Sequence, residues 1–212
     1  MVTRQDFTLL ICLLVPLVLV AAVAATFFPP FRPAFNFAIV LNGKAYRTGR
    51  IGSSTLNRLV HTYRIRSLVI LDAPSKNEAL IEMAKRLSLH VVTLPLRDKE
   101  RPRVGQMLEL LETIDQAPSP VLFYDFWGAY KSALASAFYL IVREGESPTQ
   151  ARRVLSFWNG YVPWGPQAEV TRPLQLYVEW RETAGIRDGP EAVRRWLSED
   201  YHPERARGDA SR

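Results

Sequence analysis

The sequence predicts an α/β domain, a mostly parallel central sheet flanked by helices, with a transmembrane helix at its N-terminus. Three observations predict it. Short strand-like runs alternate with helical patterns of about 10 to 15 residues, the signature of βαβ units. Ser67–Asp72 (Ser-Leu-Val-Ile-Leu-Asp) is an apolar run of the kind found in parallel strands covered on both faces. Phe7–Phe28 is a stretch of 22 residues without a charge, and about 20 apolar residues suffice to cross a bilayer as a helix.

The apolar stretch defines the first segment, residues 1–28. Pro16 is tolerable within a membrane helix, and Phe27 and Phe28 suit an interface. A membrane anchor is the favoured reading. A cleaved signal sequence is the alternative, because Arg4 precedes the apolar core and Ala22-Val23-Ala24 resembles a small-residue cleavage site. The expected localisation is a single-pass membrane protein. Arg32, Lys44 and Arg47 would favour a cytoplasmic domain, whereas the signal-like N-terminus favours export, and the periplasmic or extracytoplasmic side is preferred. Residues 29–37 form a spacer that Pro29-Pro30-Phe31-Arg32-Pro33 makes stiff and extended. The main domain is assigned to 38–185, and 186–212 to a short helix and a disordered tail.

Within the domain, Ala38–Leu41 and Lys44–Arg47 read as strands joined at Asn42-Gly43, a hairpin dipeptide expected to place both residues at positive φ. Ser53 or Ser54 is a candidate cap for a helix to Tyr63 bearing Leu56, Leu59, Val60 and Tyr63 on one face. After the Ser67–Asp72 strand, Ser75 and Glu78 have capping-box spacing ahead of a helix to about Leu87. His90–Leu94 is the next strand, and Pro95–Pro102 a charged loop. The helix from Arg103 to about Gln116 is expected to turn Met107, Leu108, Leu111 and Ile114 inward. Further on, Ser147-Pro148-Thr149-Gln150 opens a helix expected to run to about Trp158. Asn159–Pro166 is a turn-rich link, Ala168–Thr183 another helix, and Glu191–Leu197 a short amphipathic piece. Trp158, Trp164, Trp180 and Tyr161 are read as core or helix-packing residues.

The chain is organised around Val121–Ala133. A strand, Val121–Tyr124, leads into a loop holding Gly128, and a small-residue apolar helix follows from Ser132 to about Val142. A strand, a Gly-bearing loop and a helix N-terminus together make a nest of converging N–H groups that suits an anion. In a parallel sheet this loop lies at the carboxyl end of a strand, where open α/β sheets place ligands. The candidate phosphate loop is Asp125, Phe126, Trp127, Gly128, Ala129, Tyr130, Lys131 and Ser132.

Composition narrows the functions. A net charge of +6 without a run of five basic residues fits a solvated basic surface. No basic helix, zinc knuckle or aromatic sheet motif is present, so nucleic acid is not an expected partner. Cys12 is the only cysteine, which excludes an internal disulfide, and His61, His90 and His202 are too far apart to suggest a metal site. No cofactor is expected.

The order of elements resembles the dual-specificity-like branch of the cysteine-dependent protein tyrosine phosphatases. Their signature is His, Cys, five residues, Arg, then Ser or Thr, at a strand-to-helix junction. Here Tyr124 stands at the His position, Asp125 at the Cys position, Gly128 at the usual Gly, Lys131 at the Arg and Ser132 at the hydroxyl. Upstream, Ala45-Tyr46-Arg47-Thr48-Gly49 and Ile65-Arg66-Ser67-Leu68-Val69-Ile70-Leu71 are similar to family segments, and the resemblance spans roughly Val40–Ser156. It implies a phosphatase-like fold, and Asp98, 27 residues before Asp125, as the candidate general acid.

The family's chemistry does not transfer residue by residue. A thiolate forms readily at a helix N-terminus and is strongly nucleophilic, and Asp125 offers none. Lys131 keeps the positive charge but loses the guanidinium fork. The expectation is therefore a membrane-tethered pseudophosphatase, its cradle filled by Asp125 accepting loop N–H groups and by Lys131 paired with Asp125. Phe126, Trp127 and Tyr130 are expected to close the mouth or form an apolar patch. Expected partners are the membrane, through the N-terminal helix, and a protein or phosphorylated ligand. The alternative is an active phosphoester hydrolase using Asp125 as its nucleophile.

Overall fold

The computed structural model describes residues 15, 16, 18, 34–185 and 189–203. Most of the predicted anchor, the start of the spacer and the end of the tail lie outside the described residues. Among the described residues no helix is long and apolar enough to cross a membrane. Residues 33–212 cluster as a compact unit separate from residues 1–32.

That unit is built on a five-stranded sheet. Its strands are β1 (Ala38–Leu41), β2 (Ala45–Thr48), β3 (Ser67–Ile70), β4 (His90–Thr93) and β5 (Val121–Tyr124), in the order β1-β2-β5-β3-β4. Only β1 runs antiparallel, as the first arm of the hairpin. β5 is the middle strand, paired in parallel with β2 on one side and β3 on the other. Of the two hairpin residues only Gly43 takes positive φ, and Lys44 N–H donates to Leu41 O. The register slips between Ile39 and Leu41, so the turn closes through an irregularity in β1 instead of a two-residue loop with both φ positive.

The helices are α1 (Ser53–Tyr63), α2 (Glu78–Arg86), α3 (Val104–Gln116), α4 (Lys131–Glu144), α5 (Pro148–Ala151), α6 (Arg172–Ala184) and α7 (Pro190–Glu199). Strand alternation sorts the interior into two cores. Tyr46, Leu68, Ile70, Leu122 and Tyr124 face α1 and α2 with Leu56, Leu59, Leu80 and Ala84. Ala45, Val69, Val121 and Phe123 face the other core, with α3, α4 and α7. Residues Lys131–Val142 of α4 are all buried, which accounts for that helix's small and apolar composition.

Several local expectations are corrected. The cap of α1 is Gly52 in extended conformation, and Ser53 already belongs to the helix. Ser75 lies in a 3-10 turn over Pro74–Lys76, and Asn77 precedes α2, its side chain donating to Ala73 O. Leu108 is exposed, while Met107, Leu110, Leu111 and Ile114 form the buried i, i+3, i+4, i+7 stripe of α3, which places Leu108 off the stripe. The Ser147 capping box is present, but the helix it opens lasts four residues and continues as 3-10 turns over Arg152–Val154 and Phe157–Asn159. Leu155, at φ −83° and ψ 71°, leaves helical geometry and ends the run before Trp158. Trp158 and Trp164 are exposed rather than packed in a core.

The domain's core also passes the expected boundary at 185. Val193, Trp196 and Leu197 of α7, and Tyr201 beyond it, join the core of α3 and α4, and Tyr201 Oη donates to Pro102 O at 2.6 Å. Trp196 lies against Tyr177 and Tyr201 with ring centroids 5.4 and 4.7 Å away. Among the described residues, both cores are formed by residues between Phe37 and Tyr201, with partly buried Ala34 beside them. Trp196→Ala is expected to lower the unfolding free energy of residues 34–212 by about 3 to 5 kcal/mol, measured by urea denaturation. A loss near zero would show α7 to be an appendage.

Candidate functional site

The loop after β5 is held by glycines before its charged groups matter. Gly128 has φ +65°, and a Cβ there would stand 2.3 Å from Gly49 N and 2.7 Å from Gly49 Cα. A side chain is therefore excluded both by backbone conformation and by contact with the end of β2. Gly49 is constrained in turn, since its Cβ would meet Phe35 Cδ1 at 2.6 Å and Trp127 O at 3.0 Å. Backbone bonds complete the brace. Arg50 N–H donates to Phe126 O at 3.0 Å, Gly49 N–H to Phe35 O at 2.8 Å, and Asn36 Nδ2 to Trp127 O at 2.7 Å.

Asp125 sits at the base of the loop, 2% exposed. Its Oδ2 accepts the Lys131 backbone N–H at 3.1 Å and its Oδ1 accepts the Ser132 hydroxyl at 2.9 Å. The expectation that Asp125 takes loop donors for itself matches this geometry, and both donors come from the first residues of α4. Burial pushes the Asp125 carboxyl up to about 6 and the Asp72 charge adds to this, against the Ser132 and Lys131 hydrogen bonds, which favour the ionised form.

Lys131 does not pair with Asp125. Its backbone N–H serves Asp125, while its side chain leaves the loop toward the ends of β3 and β4. There Nζ lies 2.6 Å from Asp72 Oδ1 and 2.7 Å from Asp98 Oδ1. Burial alone would lower the ammonium's pKa, but the bonds to these two carboxylates outweigh it and hold the pKa above the usual value. Asp98 is thus brought to the site as an ion-pair partner from an exposed loop position.

Sequence reasoning missed Asp72. Its Oδ2 accepts the Phe126 N–H at 2.6 Å, so one carboxylate holds both a loop amide and the lysine. The available signal was an acidic residue closing an otherwise apolar buried strand, at the carboxyl end where parallel sheets place ligands. Tyr124 faces the core of α1 and α2, and burial, followed by the Asp72 charge, raises its phenol to about 12. The loop's large side chains do not cover Asp125 uniformly. Phe126 and Trp127 are exposed, with ring centroids 5.2 Å apart, and Tyr130 packs on Tyr161 at 5.6 Å. A cleft of ≈ 500 Å3 opens beside them, lined in part by Arg50, Asp72, Lys76, Asp98, Tyr124 and Phe126. Among the described residues no group of three or more His, Cys, Asp or Glu is arranged to hold a metal ion.

With this geometry in view, the comparisons with known proteins identify the fold. A cysteine-to-serine variant of TpbA from P. aeruginosa, solved in complex with pTyr, superposes with a TM-score of 0.54 at 18% identity, covering 79% of this chain and 93% of that one. A glycine-to-alanine mutant form of Tk-PTP gives 0.55 at 19% identity, covering 70% of this chain and 98% of that one. PTPMT1 gives 0.51 at 16% identity, covering 70% and 99%. No protein-family model matches the sequence, and no curated protein matches it. The domain therefore has the α/β fold of the cysteine-based protein tyrosine phosphatases, with a mixed sheet flanked by helices.

Two predictions follow from the site itself. Folding raises the Asp125 pKa, so the folded chain holds this proton more tightly than the unfolded chain, and stability falls as pH rises from about 4 to about 6. The ionised carboxylate then costs about 3 kcal/mol at neutral pH. Asp125→Asn is expected to flatten that fall, read from urea midpoints between pH 4 and pH 7. Gly128→Ala is expected to cost at least about 2 kcal/mol in the same assay, because neither backbone can yield without opening the β2–loop contact.

Proposed function

We propose that this chain is a membrane-tethered pseudophosphatase, a phosphatase-like domain that works by binding or scaffolding rather than by turnover. The observation that carries this reading is the Asp125 carboxylate at the base of the loop, holding the Lys131 N–H and the Ser132 hydroxyl. Charge-assisted bonds of this kind contribute about 1.5 to 3 kcal/mol each, and an incoming phosphate would have to replace them. The surrounding charges point the same way. Asp72 and Asp98 already neutralise the Lys131 ammonium, so it is not free to receive a phosphate dianion. The Phe126 N–H, another donor of the loop, is engaged by Asp72. The proposed partners are a protein or a phosphorylated ligand, with the uncharged segment 7–28 as a single-pass tether and the domain on the extracytoplasmic side.

One observation favours a second reading. Asp98 stands at the mouth beside Lys131, where a general acid for a leaving alcohol would be needed. In that case Asp125 Oδ attacks phosphorus as the P–O bond to the leaving alcohol breaks, Asp98, released from Lys131 and protonated, gives its proton to the leaving oxygen, and water hydrolyses the acyl phosphate to the Asp125 carboxylate and phosphate, its proton restoring Asp98.

Turnover separates the two. Residues 34–212 are expected to release no phosphate from pTyr, the ligand in the TpbA complex, from a phosphotyrosine peptide, or from a small aryl phosphate. Turnover that vanishes in Asp125→Asn would establish the hydrolase instead. Combining Asp125→Cys, Lys131→Arg and Asp72→Asn is expected to produce a phosphate-dependent rise in thermal midpoint that the parent domain lacks.

A further inference from the structure

Among the described residues, the exposed aromatic side chains come from three segments, which meet at Asn36. Phe126 and Trp127 belong to the loop after β5, Phe157, Trp158 and Trp164 to the turns after α5, and Phe35 to the residues leading into β1. They come from three distant parts of the chain, and Asn36 ties those parts together. Its Nδ2 donates to Trp127 O, and a Cβ on Gly160 would touch that same Nδ2 at 2.8 Å. The Phe35 ring packs over Gly49 beside Trp127 O. Trp127, Trp158 and Trp164 are 52%, 65% and 70% exposed. Arg50 stands at the edge, its guanidinium 5.5 Å from the Phe126 ring centroid. Exposed aromatics on segments that meet at Asn36 mark an interaction surface. Trp158 and Trp164, expected in the core, are instead exposed.

We infer that this aromatic surface is an interfacial membrane-docking face, seating the mouth of the loop against the headgroup layer of a phospholipid bilayer. Position along the chain selects the occupant. The uncharged segment 7–28 ends at Phe28, and only residues 29–33 separate it from Ala34 and Phe35. Five residues can span at most about 17 Å. Phe35 is itself part of the surface, so a bilayer holding segment 7–28 lies within reach of it. Tryptophan and phenylalanine with a basic residue at the rim are the side chains that partition to the headgroup boundary, where an amphipathic ring has both an apolar and a wet neighbour. Docked in this way, the cleft beside Asp72 and Asp98 would open along the membrane surface, restricting its ligands to groups presented there. The inference rests on the proposed tether for its choice of occupant, but the surface can be tested without it.

Residues 34–212, which hold both cores, are incubated with vesicles of phosphatidylcholine alone and of phosphatidylcholine with phosphatidylglycerol. Binding is read by co-sedimentation and by tryptophan quenching with brominated lipid. The expected result is co-sedimentation with quenching, stronger on the anionic vesicles, and at least about tenfold weaker partitioning for Trp127→Ser/Trp158→Ser/Trp164→Ser. Trp180 and Trp196 remain in that variant to report the fold. No binding to either vesicle would overturn the inference. So would a vesicle-blind self-association, seen by sedimentation velocity and abolished by the same three substitutions, which would assign the face to a second copy. Carbonate extraction of the full chain tests the tether separately, so failure of one is distinguishable from failure of the other.

Discussion

Asp72 holds the arrangement of the site together. One of its carboxylate oxygens takes the Phe126 N–H and the other the Lys131 ammonium, so it spans the start and the end of the loop after β5 from just beyond the end of neighbouring β3. This is possible because β3 and β5 are adjacent and parallel, which brings their carboxyl ends to the same edge. With Asp72 in place, Lys131 is drawn away from Asp125, and Asp125 is left to bond with the helix start. An uncompensated ammonium at this depth would be costly, and two carboxylates meet that cost. The loop therefore has two separate polar clusters: Asp125 with the beginning of α4, and Lys131 with Asp72 and Asp98.

Much of this architecture was legible in the sequence. The strands β1, β3, β4 and β5 begin where composition and alternation place them, and the loop's position at the end of a central strand followed from the βαβ rhythm. Burial of β3 and β5 on both faces follows from their unbroken apolar runs, because each strand serves two cores. Local signals failed where tertiary contacts decide. Ser53 and Ser75 are good caps by composition, but Gly52 and Asn77 hold the cap positions. Tail residues around Trp196 carried an amphipathic pattern, yet nothing in it distinguished an appendage from a helix that completes the core beside α3 and α4.

The site shows the same division. Asp125, Gly128 and Ser132 could be placed by spacing relative to a strand and a helix, and they stand together as that spacing requires. The partner of Lys131 could not, since the competing carboxylates lie 59 and 33 positions away in the chain. A one-dimensional reading favours the nearest opposite charge. Three-dimensional packing instead selects those aligned with the direction of the side chain. Asn36 and Gly49 were similarly opaque, because their roles lie in backbone contacts with segments about 80 or more residues on.

The Gly49–Gly128 contact has a consequence for how such a domain can change over time. The curvature of the loop is set by two residues that carry no functional group, pressed backbone to backbone. Residues 125 and 131 lie outside that contact. Shape and reactivity are thus inherited through different parts of the sequence. A lineage can shed its chemistry, or take on another, by a handful of codon changes while the receptacle persists, and the receptacle remains available to selection for whatever else it can hold.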